Sequence, residues 1–110
     1  MEADVILLDT HVVVWLAAGR TDLLPVSIAE LIEANPVAIS PIVEVELSYL
    51  HEIGRLTVPA SVIIGQLVSR IGLAIDDVPY GGICNAATSL SWTRDPFDRL
   101  QAAHALHRQI

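Results

Sequence analysis

Val5-Ile6-Leu7-Leu8-Asp9-Thr10-His11 begins as an apolar run and ends on an acid. A continuous β-type run of this kind fits a strand buried on both faces in a parallel sheet. In open parallel sheets, ligands sit beyond the carboxyl ends of the strands, and Asp9 stands at that end. Two readings of Asp9 stay open: N-cap of a helix starting near His11, or ligand at the sheet edge. Thr10 is equally able to cap that helix.

Outward from this segment, strands and helices alternate. Val12–Ala18 is apolar all round and reads as a helix, because Gly19-Arg20-Thr21-Asp22 follows like a stop and loop. Ser27–Ala34 has Ser27 as N-cap and Ile28, Leu31 and Ile32 on one face, and Asn35-Pro36 ends it. Val37–Ser40 is a second strand. Pro41 then opens a helix behind Ser40 as N-cap, and Gly54 closes it. Pro59–Ile71 carries Ile63, Ile64, Leu67, Val68 and Ile71 at helical spacing, and Gly72 stops it. Leu73–Val78 reads as a third strand and Gly81–Ser91 as a small-residue helix. The last helix begins after Asp95 and is still running at Ile110. The predicted class is α/β, a three-layer α/β/α domain on a short parallel sheet. With no strand after that helix, the single domain 1–110 is expected to be C-terminally incomplete, with exposed apolar surface at Leu100, Ala103, Leu106 and Ile110.

Composition narrows the function. The 110 residues are 53% hydrophobic and 17% charged, which suits one compact domain and excludes a disordered chain. One cysteine, Cys84, excludes an internal disulfide and a multi-cysteine zinc site. The net charge of -7 sets 13 acids against six arginines and no lysine, so a broad basic face for nucleic acid is absent. If RNA is the substrate, a few arginines and bound metal must supply the attraction. The apolar stretch from Val5 to Ala18 follows an acidic start and is broken by Asp9-Thr10-His11, unlike a signal peptide, and a cytoplasmic location is expected.

Carboxylates on apolar ground are costly unless their charge is offset, and a divalent cation is a natural offset. Glu46 shares a helix face with Ile42, Val43, Tyr49, Leu50 and Ile53, whereas Glu44 shares one with Ser48, His51 and Arg55 and belongs in solvent. In Asp95-Pro96-Phe97-Asp98, Asp95 suits an N-cap, Pro96 the first helical position and Asp98 the third, where acids favour the dipole. The same spacing lets both carboxylates face one point, with Ala102 and Ala105 leaving room beside Asp98. His104 and His107 read as surface or partly packed residues, Asp76-Asp77 as a solvated edge or loop, and Trp15 and Trp92 first as core or interface residues, not as base-stacking platforms. No phosphate-cradling glycine loop, nucleophile elbow or Cys/His pair is present.

Leu8-Asp9-Thr10-His11-Val12, Ser40-Pro41 through Glu46-Leu47, Gly54-Arg55-Leu56 and Arg94-Asp95-Pro96-Phe97-Asp98-Arg99-Leu100 together resemble a PIN domain, in particular the VapC-type toxin ribonucleases of bacterial toxin–antitoxin pairs. The resemblance covers essentially the whole chain. It implies that the family's first acid is Asp9, its glutamate Glu46 and its third acid Asp98. Asp95 then matches an additional acid and Thr10 the hydroxyl beside the first. The family's last acid, in a Thr-x-Asp stretch after a further strand, has no counterpart in this sequence. The activity implied is Mg²⁺- or Mn²⁺-dependent endoribonuclease cleavage, with Asp9, Glu46 and Asp98 as catalytic and metal-holding residues and Thr10 and Asp95 in support. The partners implied are a cognate antitoxin, RNA and a second copy in a homodimer. The alternative is a non-catalytic PIN-like interaction module. A haloacid-dehalogenase-like use of Asp9 fares worse, because His11 stands where a second aspartate is expected.

Overall fold

The computed structural model describes residues 5–108. Three short strands, Ile6–Leu7 (β1), Val37–Ile39 (β2) and Ala74–Ile75 (β3), pair in parallel in the order β1-β2-β3. Ile6 lies opposite Val37 and Leu7 opposite Ala38; Ala38 lies opposite Ala74 and Ile39 opposite Ile75. All three residues of β2 are buried, so the central strand is covered on both faces. The α/β class is as the alternation predicts. The third strand is shorter than the expected Leu73–Val78. As an edge strand it has only β2 to pair with, and its ladder ends where the Asp76 N–H donates to the Ile39 carbonyl at 2.8 Å.

Among the described residues there are six α-helices, Thr10–Ala17 (α1), Val26–Ala34 (α2), Pro41–Glu52 (α3), Ala60–Ile71 (α4), Tyr80–Ala87 (α5) and Pro96–Arg108 (α6). Ser40 caps α3 and Pro41 opens it, as the sequence predicts. Gly72, at φ 68, lets α4 turn directly into buried Leu73, a conformation that side-chain-bearing residues adopt with strain. Helix α2 ends at Ala34 as expected, but its cap and its face are not as expected. The helix starts at Val26 behind Pro25, so Ser27 is no cap, and Ile28 and Leu31 are exposed. Only half-buried Ile32 of the expected apolar face reaches the main core. Helix α5 ends at Ala87, short of Ser91, where the Thr88 hydroxyl donates to the Asn85 carbonyl at 2.7 Å. The expected run of α6 to Ile110 lies outside the described residues in its last two positions.

Among the described residues there are two cores. The larger gathers Leu8, Val13, Ile39, Val43, Leu47 and Leu67 with their neighbours, locking α1, α3 and α4 onto the sheet. The smaller joins Ile83, Ala87 and Ala103 between α5 and α6. Of the apolar surface expected on α6, Ala103 is fully buried against α5 and Leu100 half-buried; Leu106 is exposed, and Ile110 lies outside the described residues. His104 is likewise fully buried, with Nε2 2.7 Å from Asp76 Oδ2. This corrects the surface reading of His104 and the solvated reading of Asp76: α6 crosses the end of β3 closely enough for His104 Nε2 to meet the Asp76 carboxylate, while buried His104 Nδ1 has no hydrogen-bond partner among the described residues. Asp77 and His107 are exposed. No helix among the described residues is long and apolar enough to cross a membrane.

Leu47 is wholly buried and Val45, two residues before it, is 54% exposed. Leu47→Ala is expected to lower the unfolding free energy in urea by about 2–5 kcal/mol, whereas Val45→Ala changes it by less than about 0.5 kcal/mol.

Candidate active site

The carboxyl end of the sheet is where the acids collect. The chain leaves β1 through buried Leu8 and turns into α1 at Asp9, whose Oδ1 accepts the Val12 N–H at 2.9 Å. Asp9 is therefore the N-cap of α1. It is also exposed and lines a cleft of about 270 Å³ together with Ser40, Trp92, Asp98, Gln101 and Ala102. The two readings of Asp9 are compatible, because capping engages one carboxylate oxygen. Thr10 does not cap. It is buried, and its hydroxyl donates to Glu46 Oε1 at 2.5 Å.

Asp98 reaches the same cleft from the first turn of α6. Asp95 Oδ1 accepts from the Phe97 N–H at 2.8 Å and from the Asp98 N–H at 3.4 Å, which is the cap the sequence predicts. The preceding turn is held by the Thr93 hydroxyl, which accepts from the Asp95 N–H at 3.2 Å, and by Arg99 Nε, which donates to the Thr93 carbonyl at 2.6 Å. Asp9 and Asp98 thus stand at the starts of two helices whose unsatisfied N–H groups favour negative charge.

Glu46 is half-buried and Glu44 exposed, as the helical-face argument predicts. Glu46 does not line the Asp9–Asp98 cleft. It lines a neighbouring one with Tyr49, Arg55, Asp95 and Phe97, where the Tyr49 and Phe97 rings lie 5.7 Å apart. Its Oε1 accepts from Gln101 Nε2 at 2.9 Å as well as from Thr10. Gln101 also receives the Thr10 N–H at 3.3 Å on Oε1 and reaches the Thr10 hydroxyl at 3.3 Å through Nε2. Gln101 is the residue that sequence reasoning missed. Asp98, Gln101, Ala102 and Ala105 fall at helical spacings of three, four and seven, so a polar side chain on that small-residue stripe was the available signal.

Of the two places expected for Trp92, the core is ruled out: it is 68% exposed and lines the cleft of Asp9 and Asp98. Trp15 is half-buried in α1, its ring 6.3 Å from that of His11.

No three described His, Cys, Asp or Glu side chains form a group that would ligate one ion together. The donors suit a water-rich ion instead. Mg²⁺ keeps several of its waters and takes one or two carboxylates plus substrate phosphate oxygens, and Asp9 and Asp98 in one open cleft are hard oxygen donors of that kind.

The model of the PIN domain family matches residues 6–110. The chain belongs to the PIN family. PIN domains are generally nucleases and typically use divalent metals, and the α/β architecture with its short parallel sheet accords with that membership. A comparison with individual curated proteins gave no match.

Removing the Gln101 amide breaks the link between α1, α3 and α6. Gln101→Ala is expected to cost about 1–3 kcal/mol of stability in chemical denaturation. Gln101→Glu sets a second carboxylate against Glu46, so its deficit against wild type is expected to be larger at pH 7 than at pH 4, where protonation relieves the repulsion.

Proposed function

We propose that this PIN domain is a Mg²⁺- or Mn²⁺-dependent endoribonuclease of the VapC type, the toxin of a toxin–antitoxin pair. The observation that carries the reading is the cleft where Asp9 and Asp98 meet at the carboxyl end of β1, in a chain of the PIN family. Asp9 and Asp98 would hold the ion through their carboxylate oxygens, with Glu46 adding to the acidic set from the adjoining cleft. Such an ion would supply a more acidic water and neutralise charge on the phosphodiester. The chain's own residues do the rest. Thr10 and Gln101 fix Glu46 through Oε1 and so hold its carboxylate in the cleft that adjoins Asp9 and Asp98. Asp95 supports the site by capping α6 and so fixing where Asp98 begins.

The toxin assignment rests on the motifs Leu8-Asp9-Thr10-His11 and Arg94-Asp95-Pro96-Phe97-Asp98-Arg99 and on the charge. A net charge of -7 suits a cationic, amphipathic antitoxin segment laid over the acids. Exposed Val45 and Tyr49 on α3 and Ile53 at its C-cap offer apolar surface for such a segment or for a second copy in a homodimer, and a cytoplasmic location fits this role. The second reading, a non-catalytic PIN-like interaction module, is favoured by the absence of a three-acid group among the described residues.

Asp9→Asn and Asp98→Asn separate the two readings. Asparagine caps helices as well as aspartate does, so Asp9→Asn removes charge while keeping the start of α1. On structured RNAs with Mg²⁺ or Mn²⁺, wild-type cleavage is expected to fall by about a hundredfold or more in either variant. Wild-type protein that leaves RNA intact under these conditions is the interaction module. Millimolar Mg²⁺ or Mn²⁺ is also expected to raise the melting temperature of wild type, and to do so less in Asp98→Asn.

A further inference from the structure

An indole left in water is expensive, since tryptophan carries one of the largest apolar surfaces of any side chain. Trp92 is nevertheless the most exposed aromatic side chain among the described residues, at 68%. It lies in the turn between α5 and α6, and that turn is pinned through its neighbour Thr93 by Arg99 and Asp95. The indole is therefore carried on a fixed segment beside Asp9 and Asp98, in the cleft they line.

Charge adds an independent argument. A phosphodiester chain approaching this protein meets a net charge of -7, and of its six arginines Arg20 is already paired with Asp22 through two contacts of 3.0 Å. With so few cationic groups, phosphate contacts supply less than the usual electrostatic share of nucleic-acid affinity here. A contact that needs no charge must supply more of it, and base–aromatic stacking is that contact. Stacking requires a base with a bare face. Bases within a duplex are covered above and below by their neighbours, whereas bases in loops and single strands are open.

We propose that Trp92 is the stacking platform for an unpaired nucleobase next to the scissile phosphate. The inference deepens the nuclease reading and, for the position of the cut, rests on it. Trp92 then acts on specificity and binding, while Asp9 and Asp98 act on the phosphate. Stacking is tolerant of base identity, so the selection made at Trp92 is for unpaired over paired structure rather than for a sequence.

The test uses Trp15→Phe protein, in which Trp92 is the remaining indole, titrated with single-stranded oligoadenylate and with a blunt RNA duplex of equal length, in EDTA so that binding is read without cleavage. Oligoadenylate is expected to quench the Trp92 emission and the duplex to leave it nearly unchanged. With labelled oligoadenylate, Trp92→Ala is expected to weaken binding about tenfold or more, and Trp92→Phe to restore most of it. The ratio of wild-type to Trp92→Ala affinity is expected to stay constant as salt is raised, because the lost contact is uncharged. Circular dichroism verifies that the alanine variant is folded, and the quenching and Trp92→Phe measurements stand without that variant. Equal affinities for Trp92→Ala and wild type, or equal quenching by the duplex, overturn the proposal. So does a Trp92→Ala protein that loses a protein partner while binding oligoadenylate normally. The two readings fail separately. Quenching by oligoadenylate without RNA cleavage defeats the nuclease assignment and keeps the platform; RNA cleavage with unchanged kcat/KM in Trp92→Ala does the reverse.

Discussion

A carboxylate on a half-buried helix face has to be compensated, and in this protein Glu46 is compensated by neutral donors. The Thr10 hydroxyl and the Gln101 amide converge on one of its oxygens. Because Thr10 opens α1, Glu46 lies within α3 and Gln101 within α6, one carboxylate fixes how three helices meet at the carboxyl end of the sheet. Neutral donors have a further consequence. They orient the group without cancelling its charge, so the acidic character of the region survives the packing that creates it.

Helix starts carry the remaining acids. Asp9 caps α1, and Asp95 caps α6 so that Asp98 falls in its first turn. The unsatisfied N–H groups at each start offset part of the negative charge and let two carboxylates share one cleft. Capping and the lining of the cleft therefore use the same residue. A cap needs one oxygen, and a cleft lining needs a group that reaches solvent. Asp9 meets both demands because it stands where a buried strand ends and a helix begins.

The second core explains how α6 is held in place to deliver Asp98 and Gln101. Ala103 packs against Ile83 and Ala87 of α5, and His104, one residue further, is buried against Asp76 beyond β3. Small residues let the two helices approach, and the buried polar pair fixes α6 along its length, since a histidine removed from its carboxylate would be left unsatisfied. The face of α6 that looks toward α1 thereby keeps its register against Thr10.

The sequence by itself determined what depends on neighbours along the chain. The apolar run ending at Asp9, the Ser40-Pro41 start of α3, the placing of Glu46 rather than Glu44 toward the interior, and the Asp95 cap all follow from contacts within a turn or two. Such signals survive without knowledge of the fold. Only the tertiary structure decided that Gln101 bridges to Thr10 and Glu46, across 91 and 55 positions, that His104 pairs with Asp76, and that Glu46 faces a cleft beside that of Asp9 and Asp98. It also decided that Ile28 and Leu31 of α2 face water and that Trp92 stands open at the acids. Helical periodicity says which residues share a face. What that face meets is set by the packing of α6 against α1, α3 and α5, and that packing is the outcome of the whole core, which no local stretch encodes.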